Sequence, residues 1–324
     1  AQATRGRVVS ASLGKVNLLG VFVLLGGVLG LIVGMGWSRT AFWGLGLGGV
    51  ALSAALYTFQ DYLLYFPQVQ ESRTRFFHPR EWQFDHCFEE EFIVTPDGEK
   101  LNMWIFKQPE PRHCPTVLFF HGNAGNVSHR VPNAAQMYEE LGVNVVMLEY
   151  RGFGKSTGWP SQAGHEIDAR TAVEWLSKEQ DLGVTPLVLF GRSLGGAVAL
   201  HAAVDPACKP HVRAVVVENT FTSVPDMIDA VMPVFTYVKP LVRNPWKSID
   251  IVSRLEVPFA VISGEADELI PVEQHERIFA AAMEAGVQAS FLSIPMGSHN
   301  GTWTSRGYWT KLAEWFSALP FARN

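Results

Sequence analysis

The stretch "PLVLFGRSLGGAVALHAAV", residues 186–204, changes character at one serine. Before it, Leu187–Phe190 is a short apolar run that reads as a buried strand. After it, Leu194–Val204 is a run of small and apolar residues that reads as a helix. Ser193 stands at the junction, with Gly191 two positions before it and Gly195 two after. A sharp strand-to-helix turn strains its central residue, and flanking glycines leave room for neighbouring chain segments. Such a turn lifts the hydroxyl above the sheet at a helix N-terminus, where negative charge is favoured. It also aims the Leu194 backbone N–H at the place where an oxyanion would form. The glycine–serine–glycine spacing alone says little in a chain with 29 glycines. Its setting and its partners decide the reading.

Working outward, residues 91–95 "EFIVT" and 101–106 "LNMWIF" flank a Pro96-Asp97-Gly98 turn signal and predict a hairpin. Apolar runs at 116–120, 143–149, 186–190, 212–218, 258–263 and 288–294 predict further strands. Helix-like segments lie between most of them, at 165–179, 194–204 and 272–285. Continuous apolar strands alternating with helices imply a mostly parallel central sheet covered by helices on both faces, an α/β fold.

Each expected partner of Ser193 follows a strand. The loop "HGNAGN", 121–126, follows the run 116–120, and Asn123 is the expected second oxyanion donor through its backbone N–H, beside Leu194. His121 reads as a packed residue, not a base. "SGEADELIP" supplies Asp267 as the acid, with Glu265 and Glu268 beside it. "GSHN" supplies His299 as the base, in a loop after the last strand. Serine, aspartate and histidine therefore occur in the order 193, 267, 299, that of an alpha/beta hydrolase. Arg192 has two readings, a contact with an acidic head group or a local salt bridge.

The whole chain of 324 residues carries a net charge of −5, and charged residues are 18% of it, against about 25% in an ordinary soluble domain. The apolar excess is concentrated in the first sixty residues. No basic run marks a nucleic-acid surface, and no ligand spacing marks a metal or cofactor site. Cys87, Cys114 and Cys208 are too scattered for a disulfide framework. Residues 16–36 contain no charge and predict a transmembrane helix. A second apolar stretch, 41–59, follows after "WSRT". Arg5, Arg7 and Lys15 before the pair, and Arg73, Arg75 and Arg80 after it, favour a helical hairpin with both flanks, and the body of the chain, in the cytosol. One span with an interfacial second segment would put the body in a lumen instead. Residues 1–60 are thus expected to be an anchor, 61–90 an interfacial or linker segment, and 91–324 a catalytic domain. Tyr62, Tyr65 and Phe66 suit either an interface belt or a segment docked on that domain.

The motifs "FFHGNAGN", "YRGFGKSTG", "FGRSLGGAVA", "ENTFTS", "SGEADELIP" and "GSHN" together resemble the membrane-anchored, bem/bud-suppressor-like alpha/beta hydrolases, over roughly residues 60 to 320. The resemblance implies an alpha/beta-hydrolase fold, an N-terminal anchor and the triad Ser193, Asp267 and His299. The two apolar stretches depart from the single anchor of that family. A neighbouring branch that removes palmitate from proteins implies fatty-acyl esters or thioesters as substrates. The insert at 224–246, with Met227, Val231, Met232, Phe235 and Tyr237, reads as a lid or acyl groove, or else as ordinary packing. The expected function is a membrane-bound serine hydrolase acting on an acylated lipid or acylated protein, without cofactor or metal. A non-catalytic scaffold and an acyltransferase are the alternatives.

Overall fold

The structure, a computed structural model, describes residues 39–323. The expected span 16–36 lies outside the described residues. The chain divides into two compact units, one of residues 1–60 with Val234–Arg243, the other of Asp61–Pro233 with Asn244–Asn324.

In the first unit, the stretch 41–59 forms part of one helix, Arg39–Leu64. Among the described residues no helix is long and apolar enough to cross a membrane. The expected second arm of a hairpin is therefore not confirmed. Trp43, Leu47 and Phe59 are exposed. The Gln60 side chain donates to the Leu241 carbonyl at 3.1 Å and accepts from the Arg243 N–H at 2.6 Å. The Arg243 guanidinium lies over the Tyr57 ring, 5.3 Å from its centre. Part of the expected insert is thus bonded to the end of this helix.

The second unit is built on an eight-stranded sheet. Its strands are β1 (Phe88–Val94), β2 (Lys100–Phe106), β3 (Thr116–Phe120), β4 (Asn144–Leu148), β5 (Leu187–Arg192), β6 (Val212–Glu218), β7 (Phe259–Gly264) and β8 (Ala289–Ile294). They lie in the order β1-β2-β4-β3-β5-β6-β7-β8. β1 and β2 form the expected antiparallel hairpin, β2 meets β4 antiparallel, and every later pairing is parallel.

Strand periodicity explains the two cores. Leu187 and Leu189 point into one apolar cluster with helices Gln162–Leu176 and Leu194–Val204, while Val188 and Phe190 point into the other with helices Val131–Leu141 and Tyr308–Ser317. Burial on both faces is why these strands read as unbroken apolar runs. Helix Val131–Leu141 is an element the sequence reading left out, although Val131, Ala134 and Met137 keep helical spacing and are buried. The strand order turns about β3, so the loops after β3 and β5 diverge from adjacent strand ends. In open α/β sheets such a crevice is where ligands bind.

Of the residues expected at an interface, Tyr65 is instead buried at 2% exposure. Its hydroxyl accepts from the indole Nε1 of Trp246, which is itself fully buried, at 3.0 Å. Phe66 N–H donates to the Asn123 carbonyl at 2.8 Å. The segment 61–66 is therefore docked on the sheet domain. Removing the Tyr65 hydroxyl leaves a buried indole N–H unpaired, which costs about 1–3 kcal/mol. Thermal or urea unfolding of Tyr65→Phe is expected to show a loss in that range.

Candidate active site

Ser193 has φ 54° and ψ −122°, outside the regions that a residue with a side chain prefers. Both glycines around it are forced by contact. A Cβ on Gly191 would run into the Gly195 carbonyl, and one on Gly195 into the Phe120 carbonyl at the end of β3. The turn is held from both sides. Ser193 N–H donates to the Glu218 carbonyl at 2.9 Å, and the Ser193 carbonyl accepts from Gly196 N–H at 2.9 Å and Thr220 Oγ1 at 2.8 Å.

The three residues expected from sequence come together. Ser193 Oγ lies 3.1 Å from His299 Nε2. His299 Nδ1 lies 2.9 Å from Asp267 Oδ2 and 3.1 Å from Oδ1. Asp267 Oδ1 also accepts from the N–H groups of Leu269 and Ile270, both at 2.8 Å. Burial opposes ionisation of Asp267, but the His299 hydrogen bond and these backbone donors outweigh it and hold the carboxyl below its ordinary range. An ionised Asp267 fixes His299 Nδ1 as the donor and leaves Nε2 to accept from Ser193. Glu268 accepts from the His299 backbone N–H at 2.9 Å and so positions the loop, not the ring.

The loop after β3 passes beside the serine. A Cβ on Gly122 would sit 3.6 Å from Ser193 Cβ. Asn123 is anchored by its side chain, which donates to the Leu64 carbonyl at 3.0 Å, and by its own carbonyl, which accepts from Phe66. Pinning of this loop by Leu64 and Phe66 is a feature that sequence reasoning missed.

Beneath the turn lies a buried polar network. Arg192 donates from Nε to Glu218 Oε1 at 2.8 Å, and from one terminal nitrogen to Glu218 Oε2 at 3.2 Å and Asn133 Oδ1 at 3.0 Å. Tyr308 Oη donates to Glu218 Oε2 at 2.6 Å. Arg192 is 3% exposed, so of its two readings the local salt bridge is the one realised. His121 is buried as expected, with Nε2 3.3 Å from Glu149 Oε1 and Nδ1 2.7 Å from the Gly122 carbonyl.

Asn219, in "ENTFTS", joins the two loops that carry Asp267 and His299. Its side chain donates to the Ser298 and His299 carbonyls at 3.2 and 3.1 Å, and accepts from Gly264 N–H at 2.8 Å. Of the insert residues, Met227 packs on the core, and its sulfur accepts from Gln274 at 3.3 Å. Val231 and Met232 are about half exposed. Phe235 and Tyr237 belong to the other unit. Cys87, Cys114 and Cys208 are free thiols.

Two stability predictions follow from these buried groups. Arg192→Met strands the Glu218 charge and is expected to destabilise by about 3–5 kcal/mol in urea unfolding. A second histidine, His275, is fully buried, and burial pulls its pKa down to about 4 from an ordinary 6.5. The unfolded chain then binds the extra proton first, so this contribution to stability is complete above about pH 6.5 and is lost as pH falls through about 4. His275→Phe is expected to flatten the acid slope of the urea midpoint across that window.

The alpha/beta hydrolase fold family matches residues 115–244. The alpha/beta hydrolase domain-containing protein WAV2 of Arabidopsis thaliana is 36% identical over 82% of this chain and 90% of its own length. Protein bem46 of Schizosaccharomyces pombe is 37% identical over 81% of this chain and 87% of its own. An uncharacterised membrane protein of Saccharomyces cerevisiae is 32% identical over 85% and 96%. Among solved structures, an esterase of Pyrococcus furiosus superposes with a TM-score of 0.62 at 18% identity, covering 79% of this chain and 98% of that one.

Proposed function

The chain belongs to the bem46 family of alpha/beta hydrolases, and from that premise we propose that it is a membrane-bound serine hydrolase of fatty-acyl esters or thioesters. The observation that carries the reading is the continuous hydrogen-bonded path from Ser193 Oγ through His299 to Asp267. His299 Nε2 takes the hydroxyl proton as Ser193 Oγ bonds to the acyl carbon. Asp267 stabilises the imidazolium that results. The N–H groups of Leu194 and Asn123 receive the oxyanion. Collapse of the tetrahedral intermediate breaks the bond to the alcohol or thiol, which leaves with the proton from His299. A water, deprotonated by His299, then attacks the acyl-serine; the bond to Ser193 Oγ breaks, Oγ regains the proton from His299 and the fatty acid is released.

Two observations favour a membrane-resident substrate. Residues 16–36 form an uncharged apolar run of spanning length, and the Saccharomyces cerevisiae relative is named a membrane protein. An anchored enzyme meets acylated lipids and acylated proteins at the surface where their chains are buried. Val231 and Met232, exposed at the C-terminal end of helix Val224–Val231, are candidates for contact with an acyl chain.

The test uses the full chain in detergent or native membranes. A fluorophosphonate probe is expected to label wild type and not Ser193→Ala. Asp267→Asn is expected to lower kcat by about 10⁴-fold with its fold intact. Across acyl thioesters and esters from two to sixteen carbons, kcat/KM is expected to rise with chain length. No labelling of folded wild type would overturn the hydrolase mechanism. A preference for acetyl substrates would overturn the fatty-acyl assignment.

A further inference from the structure

Behind the acid stands a second histidine that the mechanism above does not use. His275, in helix Val272–Glu284, is fully buried. Ser263 Oγ lies 2.8 Å from its Nδ1. Its Nε2 lies 4.0 Å from Asp267 Oδ2, and both side chains are closed to solvent. That Nε2 has no hydrogen-bond partner among the described residues. The carboxylate is served unevenly in turn. Among the described residues, Oδ1 takes two backbone N–H groups and the longer His299 contact, whereas Oδ2 takes His299 alone. The open side of Oδ2 and the orphaned Nε2 belong to one neighbourhood.

The tautomer follows from electrostatics. A neutral imidazole carries one N–H. Were that proton on Nδ1, a bare nitrogen lone pair would stand against a buried carboxylate. With Ser263 donating to Nδ1, the proton sits on Nε2 and its dipole opposes the Asp267 charge. The other charged or titratable groups acting on His275 are His299 and Glu273. Burial keeps the ring neutral at working pH.

We propose that His275 is a positioning residue for the acid: its Nε2–H, set by Ser263, steadies the Oδ2 edge of Asp267 and shares the negative charge that faces His299. This inference rests on the serine-hydrolase reading. An N–H dipole 4.0 Å from the far edge of the carboxylate does two things. It restrains rotation of Asp267 away from His299, which keeps the serine activated. It also draws charge from the side of Asp267 that faces His299, so the acid limb of activity is expected at lower pH with this N–H present than without it.

The experiment measures the pH profile of kcat/KM on a p-nitrophenyl ester with the full chain, together with fluorophosphonate labelling. His275→Phe keeps the shape and removes the donor, and His275→Gln returns an N–H. The expected result for His275→Phe is a fall in kcat of about tenfold at little changed KM, with the acid limb moved to higher pH. His275→Gln is expected to recover most of both. Ser263→Ala releases the tautomer and is expected to move the limb in the same direction as His275→Phe. Nitrogen-15 NMR of wild type is expected to show the His275 proton on Nε2, a readout that needs no folded variant. An unshifted acid limb in a folded, labelled His275→Phe, or a proton found on Nδ1, would overturn the role of His275 and leave the hydrolase reading standing. Wild type that no probe labels would overturn both.

Discussion

The site depends on one strained residue. A backbone at φ 54° costs Ser193 about 1–3 kcal/mol, and the surrounding contacts impose it. The carbonyls of Gly195 and Phe120 fill the space where side chains at 191 and 195 would be. Glu218 fixes the serine N–H through its carbonyl, while its carboxylate holds Arg192 one residue earlier. Strands β5 and β6 are thereby locked at their C-terminal ends, and the hydroxyl has no choice but to stand above them. A relaxed turn would move Ser193 Oγ away from His299 Nε2, which it now meets at 3.1 Å.

Around that turn, the parallel sheet delivers each partner from a different strand end. The loop after β3 brings Asn123, the loop after β7 brings Asp267, and the loop after β8 brings His299. Such loops are free to differ in sequence while the strands stay fixed, but they must be tied to one another. Asn219 makes that tie between the loops of Asp267 and His299, and Leu64 with Phe66 makes it for the loop of Asn123. The polar contacts thus hold the same geometry that brings Ser193, His299 and Asp267 together.

The strands and the order of Ser193, Asp267 and His299 were legible because their signals are local. A β-branched run, a glycine at a forced turn and a polar residue after a strand can each be read from a few neighbours. What escaped was what long-range contacts decide. Asn123 meets Leu64 across 59 positions and Trp246 meets Tyr65 across 181. Nothing in "QDYLLYFPQ" separates a buried Tyr65 from an interfacial one. Arg192 reads equally as a surface cation until Glu218 and Tyr308 are brought to it. His275 looks like one polar residue in an amphipathic helix, and its neighbour Asp267 becomes visible only when the loop folds back. The insert was legible as apolar but not as divided between two units, since its second half is bonded to the far end of the N-terminal helix.

We propose that Ser193 carries the acyl group between two half-reactions. The most direct test is to mix the full chain with a p-nitrophenyl acyl ester, quench with acid within the first turnovers, and map the mass of the digested peptides. The account predicts one acyl adduct, on the peptide containing Ser193, appearing with a burst of p-nitrophenol and disappearing when substrate is exhausted. Steady release of p-nitrophenol without an adduct at any quench time, or an adduct on another residue, would contradict it.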